Sequence, residues 1–460
     1  MDKHPCPTPW HLRPLGLLIY GLPNFCFAII AFPLALYVVP FYSEEIGLPL
    51  EEVGLALAAS RVLDTITDPL IGEFSDRTRS RWGRRKPWVA LGAPLFMLSA
   101  WMVFVPGDNA SFHYLLIWSC LLYLGFTLAD LPYRAWGAEL TGDYAARSRV
   151  TAWREACGFA GQIAFVLVLL ALQQQRPLAL GTPLWFVAAT VLLLLPPLLG
   201  MLLWRIPEAP VERLPTFAMD QWRGLALLLR NPAFLCVLSA SLLFVSGLIV
   251  QASLHLLVMT HVVGGRELFP IMLLFENIVT LSAIPLWIKI ADHLGEHRTL
   301  ALAALWIGGW SLLLPLCGPG DAWLLFVLLV IRGAGFASIL FLANSMAADV
   351  VDYDTVQSGR QRTGLFFAAW AMVTKLAIAL GIVLGTLIPA SFGFEPADAS
   401  HSEAALDALM ATYGWLPGAL MTLGAAVLWR FPITHERQKQ LRAEIAAQRC
   451  HPPKGDARSF

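Results

Sequence analysis

The chain has 460 residues, of which 57% are hydrophobic and 14% charged, with a formal net charge of zero. That composition excludes an ordinary soluble domain and a disordered chain, and describes a polytopic membrane protein. Its seven cysteines are scattered, without metal-ligand spacing or a paired framework, and read as small buried hydrophobes.

In chain order, the first apolar run covers about 15–42, too long for a signal-peptide core, and is expected to be a retained first span. Hydropathy predicts twelve spans near 14–42, 50–75, 87–106, 112–138, 151–173, 183–205, 233–263, 267–291, 298–317, 322–350, 362–389 and 408–431. The fold expected is therefore an all-α membrane protein of twelve helices in two six-helix bundles. The bundles would occupy 1–205 and 233–432, joined by a linker at 206–232 and followed by a tail at 433–460. The linker holds Pro207, Pro210 and Pro215, and an amphipathic stretch at 220–230 suited to the membrane surface. Arg and Lys crowd the loops after the even-numbered spans, such as Arg147, Arg149, Arg213, Arg223, Arg360 and Arg362. The tail adds Arg437, Lys439, Arg442 and Arg449. The opposite loops carry mainly acids, among them Glu44, Glu45, Glu51, Glu52, Glu395 and Asp398. Positive charge stays inside, so both termini are expected in the cytoplasm and the chain in the plasma (bacterial inner) membrane.

The stretch at 61–88, RVLDTITDPLIGEFSDRTRSRWGRRKPW, carries the strongest signal. Asp64 and Asp68 lie four residues apart in span 2, which stacks both carboxylates on one helix face. Carboxylates at membrane depth are costly and by default mark an ion, proton or substrate path. Pro69 cannot donate to the carbonyl of Thr65, which leaves an extra oxygen near that face. With the Thr67 hydroxyl, these groups suit a hard monovalent cation or a proton. The bland alternative is an ion pair with Arg61, three residues before Asp64. The basic cluster after the helix, Arg77 to Lys86, belongs in water.

A faint repeat relates the halves. Gly72-Glu-Phe-Ser-Asp76-Arg77 follows span 2, and Lys289-Ile-Ala-Asp292-His-Leu-Gly295 follows span 8, the equivalent place. Parallel repeats of this kind build a two-lobed rocking transporter. The motif D-x-x-x-D-P-x-x-G, continued by SDRTRSRWGRRKPW, resembles the glycoside–pentoside–hexuronide:cation symporters of the major facilitator superfamily, the melibiose permease group. Asp130-Leu-Pro132-Tyr133, Gly137-Ala-Glu139-Leu-Thr141, Trp153-Arg154, Ala348-Asp349-Val-Val-Asp352-Tyr353 and Lys375 agree with it in order.

The resemblance implies that Asp64, Asp68 and Thr127 bind the coupling ion, Na+ or H+, with Thr67 standing where the melibiose permease has an amide. It also implies that Asp130, Arg154 and Lys375 line the solute cavity, with Tyr133 and Arg134 beside them. The departures fall on the solute side. Positions that carry an acid and a lysine in span 1 of the family are Phe27 and Ala28 here, and ring positions in spans 4 and 10 are Arg134 and Leu340. Asp130 with Arg134, spaced four apart, reads alternatively as a self-satisfied pair. Glu276 in span 8 and Arg332 in span 10 form a further candidate charge pair.

The reading is a cation-coupled secondary symporter for a glycoside-like or other polar or anionic solute. The alternative is a lysolipid or other amphiphile, favoured by Phe27, Ala28 and Leu340 and by the eukaryotic lysophospholipid symporters of the same branch. A membrane enzyme is disfavoured, because no nucleotide loop, zinc-spaced histidine cluster or serine elbow is present in the sequence. The partners expected are a small-molecule substrate, a monovalent cation and membrane lipid, with no nucleic acid and no cofactor, acting as a monomer.

Overall fold

A computed structural model describes residues 10–107, 110–141, 143–172, 179–208, 231–358 and 363–432. Among them, twelve long helices follow one another. In the first half these are α1 (Pro14–Leu36), α2 (Leu50–Arg77), α3 (Lys86–Phe104), α4 (Phe112–Glu139), α5 (Tyr144–Leu172) and α6 (Gly181–Arg205). In the second half come α7 (Pro232–Val258), α8 (Phe269–Leu294), α9 (Glu296–Leu313), α10 in two pieces (Ala322–Gly333 and Phe336–Ser358), α11 (Thr363–Ser391) and α12 (Glu403–Trp429). The stretch expected to be amphipathic, 220–230, and the tail at 433–460 lie outside the described residues.

Local chemistry starts several of these helices. Ser111, Asn231 and Ser402 accept hydrogen bonds from the first free backbone N–H groups of α4, α7 and α12, and each cap satisfies donors that the helix itself cannot. Eleven segments among the described residues are long and apolar enough to cross a bilayer. The one long helix outside that set is α2, whose 28 residues span about 42 Å. Arg61, Asp64 and Asp68 keep it out. It crosses because α4 and α11 cover its charged face. Apolar side chains such as Phe275, Ile278, Leu281 and Leu286 on α8 remain exposed, as expected where hydrocarbon is the solvent.

Helices α1–α6 pack on one another, as do α7–α12, and the two sets meet chiefly along α2 and α11, with further contact of α1 with α7 and α5 with α8. At Gly54 of α2 the seam is tight. A Cβ there would stand 1.7 Å from Thr386 Oγ1 of α11, so no larger residue fits while the helices are closed. One apolar core fills the first half and continues into α7, α8 and α12, and Tyr37 and Phe269 meet edge to face at 5.7 Å where it crosses. A separate core lies within the second half.

The basic loop after α2 is held from within the first half. Arg85 donates to Ser75 Oγ at 2.7 Å and to Glu139 Oε1 at 2.8 Å, and Arg84 reaches the same carboxylate at 2.6 Å. Glu208, at the start of the linker, accepts the backbone N–H groups of Arg84 and Arg85 at 2.6 and 2.7 Å. Gly83, with φ of +110°, lets that carboxylate in, since a Cβ would stand 2.0 Å from Glu208 Oε2.

Helix α10 breaks at Gly333–Gly335, and its freed carbonyls are captured by neighbours. Trp306 Nε1 donates to Ile331 O at 3.0 Å, Thr280 Oγ1 to Gly333 O at 2.8 Å, and Trp287 Nε1 to Ala334 O at 2.6 Å. A helix can be interrupted at membrane depth only where side chains re-satisfy its backbone in this way.

Candidate cation and solute site

Asp64 and Asp68 point from α2 toward α4 and α11. Thr127 Oγ1 on α4 lies 2.7 Å from Asp64 Oδ1 and 2.9 Å from Asp68 Oδ1. A hydroxyl has one proton, so Thr127 donates to one carboxylate at a time. The other close oxygen pair needs a cation or a second proton to be favourable. Lys375 of α11 supplies that positive charge, with Nζ 2.7 Å from Asp64 Oδ2 and 2.6 Å from Asp68 Oδ2. Arg61 adds a looser contact, Nη1 to Asp64 Oδ2 at 3.6 Å, and its guanidinium sits 3.9 Å over the Tyr123 ring. Two carboxylates and two cations make the group formally neutral. It is also the junction of the two halves: α2 and α4 bring the acids and hydroxyl, α11 brings the ammonium. The Asp64 side chain is fully buried and that of Asp68 is 24% exposed.

Two expectations change here. Thr67 does not join the carboxylates through its proton, because its hydroxyl donates to Asp64 O of its own helix at 3.1 Å. Lys375 stands with the acids, not with Arg134 and Arg154. An ammonium is itself a monovalent cation, so Lys375 occupies the place where a coupling ion would otherwise balance the two carboxylates.

A second polar group lies on α4 and α5. Asp130 pairs with Arg134, and Arg154 with Glu155. Glu155 is also within electrostatic reach of Arg134. Asp130 Oδ1 and Arg154 Nε are buried and have no hydrogen-bond partner among the described residues. The side chains of Arg134 and Glu155 are 50% and 59% exposed. Charges so exposed within bilayer-crossing helices must face water, because hydrocarbon would not tolerate them. Four charged groups of both signs, two with unmatched hydrogen-bonding atoms, make a surface suited to a polar solute. Glu155 escaped the reading of the sequence, although the rule that singled out Asp130 applies equally to an acid beside Arg154.

Phe27 and Tyr133 do not belong to that exposed surface. Tyr133 is fully buried; its hydroxyl donates to Tyr20 O while the Tyr20 hydroxyl returns to Tyr133 O at 2.9 Å, a reciprocal clamp between α1 and α4. Phe27 is 2% exposed and enclosed by Phe96 and Phe126, with ring centroids 5.3 and 5.7 Å away. Both are packing residues, and their apolar or aromatic character says nothing about the solute. The side chain of Leu340 lies outside the described residues.

In the second half, Arg332 donates from Nη2 to Glu276 Oε1 at 2.8 Å, from Nη1 to Gln251, and lies 4.8 Å over the Phe336 ring. Gln251 continues to Ser311 Oγ at 3.1 Å and Tyr413 O at 3.2 Å. This buried network ties α7, α8, α9, α10 and α12 beside the break in α10.

A two-lobed bundle of membrane-crossing helices, with an ion-paired carboxylate group on its dividing plane, defines a secondary transporter. The family model described as MFS/sugar transport protein matches residues 19–435, and the chain belongs to that family. The chain is 25% identical over 453 residues to the inner membrane symporter YicJ of Escherichia coli (strain K12), covering 94% of this chain and 95% of that protein. It is 27% identical over 355 residues to the putative glycoside/cation symporter YagG of the same organism, covering 74% and 75% of the two chains. It is also 25% identical over 456 residues to the sphingosine-1-phosphate transporter MFSD2B of Mus musculus, covering 94% and 91%. The resemblance to the glycoside–pentoside–hexuronide:cation symporters stands with these matches, and the chain is a multi-pass membrane transporter.

Proposed function

We propose that the protein is a monovalent-cation-coupled symporter that carries a glycoside-like or other polar or anionic solute by alternating access, in the plasma (bacterial inner) membrane with both termini cytoplasmic. The observation that carries the reading is the junction of Asp64, Asp68 and Thr127 with Lys375. While the ammonium holds the carboxylates, α2 and α11 are tied together across the dividing plane. A Na+ ion or proton taken up by the carboxylates leaves the group with one positive charge in excess, which favours release of Lys375. Cation binding therefore exchanges an inter-half tie for an ion held by α2 and α4 alone, and the ion's binding energy becomes a bias on the rocking equilibrium. Asp130, Arg134, Arg154 and Glu155 then receive the solute from the aqueous cavity. A polar solute supplies hydrogen-bond partners for Asp130 Oδ1 and Arg154 Nε; each such atom left unmatched costs about 1–3 kcal/mol.

A second reading, a phosphate-bearing or other amphiphile, is favoured by the similarity to the sphingosine-1-phosphate transporter. Of the apolar residues first suggested for it, Phe27 loses its force, since it is sealed in the core of the first half. The readings separate in a thermal-unfolding screen of purified protein with glycosides, hexuronides and lysolipids, each with and without Na+ and at two pH values. A ligand of the native state raises the unfolding midpoint. Stabilisation by a glycoside or hexuronide, larger with the cation, is expected; stabilisation by lysolipids alone overturns the first reading.

A further inference from the structure

At the end of the molecule away from the basic loop, three titratable side chains from both halves meet. Glu44 lies in the turn Phe41–Glu45 after α1, His261 lies in the turn Met259–Val263 after α7, and His401 lies in the connection between α11 and α12. His261 uses both ring nitrogens: Nε2 is 3.1 Å from Glu44 Oε1 and Nδ1 is 3.1 Å from His401 Nε2. Phe394 packs on both imidazoles, with centroids 5.5 Å from His261 and 4.8 Å from His401. Neutral His261 can donate from Nε2 to Glu44 while accepting at Nδ1 from His401, whereas an imidazolium donates from both nitrogens.

We propose that Glu44, His261 and His401 form a second proton site, separate from the coupling carboxylates, and that its proton holds this end of the transporter closed. Glu44 belongs to the first half and both histidines to the second, so opening this end must break the Glu44–His261 contact. Protonation turns that contact from a hydrogen bond between a neutral imidazole and a carboxylate into an ion pair, which is stronger. One proton suffices, because burial, and next the neighbouring His261, hold the pKa of His401 below its ordinary value against a smaller pull from Asp398.

The other charged groups facing the site set its limits. Arg266 Nη1 is 3.8 Å from Glu44 Oε2 and opposes a charge on His261. Glu395 accepts the backbone N–H of Leu50 at 3.2 Å, also across the halves, with Glu51, Glu52 and Asp398 around it. Its pKa is raised by burial first, so the closed end favours its protonated form as well. Both effects make acid favour closure.

The test is pulsed electron paramagnetic resonance on full-length protein in nanodiscs at constant Na+, without solute. Spin labels are attached to His113→Cys and Ala404→Cys, exposed positions at this end of the two halves, in a background lacking the native cysteines. The population at the short distance is expected to rise about tenfold, relative to the open one, as pH falls from 8 to 5. His261→Gln keeps a donor for Glu44 but cannot gain a proton, and is expected to flatten the response. Glu44→Gln is expected to flatten it too, and gives a second reading if His261→Gln fails to fold. A pH-independent or inverted population in the parent protein, or an unaltered response in both His261→Gln and Glu44→Gln, overturns the proposal.

Discussion

Replacing Lys375 by Met keeps the length of the side chain and removes the charge that lies 2.7 and 2.6 Å from the two carboxylates. At an effective dielectric of about 20 and a charge separation of about 4 Å, each attraction is about 4 kcal/mol, and desolvation offsets much of it. The net worth of a hydrogen bond to a charged group is about 1.5–3 kcal/mol. If a coupling ion must displace one such contact, its observed affinity is weakened by that amount. At 1.4 kcal/mol per decade, Lys375→Met should therefore bind the coupling ion about 10- to 100-fold more tightly. The assay is the unfolding midpoint of purified protein titrated with NaCl against choline chloride, and separately with pH. In the variant the midpoint should begin lower without cation, because two carboxylates are left with Arg61 alone, and should rise at lower cation concentration. An unchanged or weaker cation affinity, for Na+ and for protons alike, refutes the exchange of ammonium for ion.

Four other outcomes follow from the same contacts. Thr127→Val removes the hydroxyl shared by both carboxylates and should weaken cation-induced stabilisation about tenfold, read in the same titration. Arg134→Gln should lower the affinity for the transported solute by tenfold or more while leaving stabilisation by the cation alone in place, measured by calorimetry once the solute is found. Arg85→Ala strips the half-buried Glu139 of one of its two arginines and should cost about 1–3 kcal/mol of stability, seen as a lower unfolding midpoint. Glu395→Gln should stabilise the closed end at neutral pH. Because burial raises the pKa of Glu395, its contribution is fully present below the ordinary glutamate pKa near ~4.3 and is lost as pH rises through the raised value. The stability difference between variant and parent should therefore vanish as pH falls below about 4.

The fold was legible because bilayer-crossing helices announce themselves by length and apolarity, and because the one that does not, α2, announces itself by its acids. The carboxylate pair and Thr127 were legible too: helical spacing places Asp64 over Asp68, and the family resemblance supplied the hydroxyl from α4. Partners brought by distant helices were harder to see. Nothing in span 11 alone says that Lys375 reaches across to α2, so it was assigned to the solute cavity. Phe27 and Tyr133 were misplaced because apolar residues in a membrane helix have three possible surroundings, lipid, core and cavity, and composition does not separate them. Glu155 was missed although its signal was present. The Glu44–His261–His401 cluster lies in three turns separated by 217 and 140 residues in sequence, and only the packing of the two halves brings it together.

The most direct measurement is solute uptake into proteoliposomes under an imposed Na+ or proton gradient, comparing the parent protein with Asp68→Asn. The parent should accumulate solute against its concentration gradient, and accumulation should collapse when the ion gradient is dissipated. Asp68→Asn, equally abundant and folded, should show no accumulation under either gradient. Accumulation by Asp68→Asn that still follows the ion gradient would contradict the assignment of the coupling ion to the carboxylates of α2.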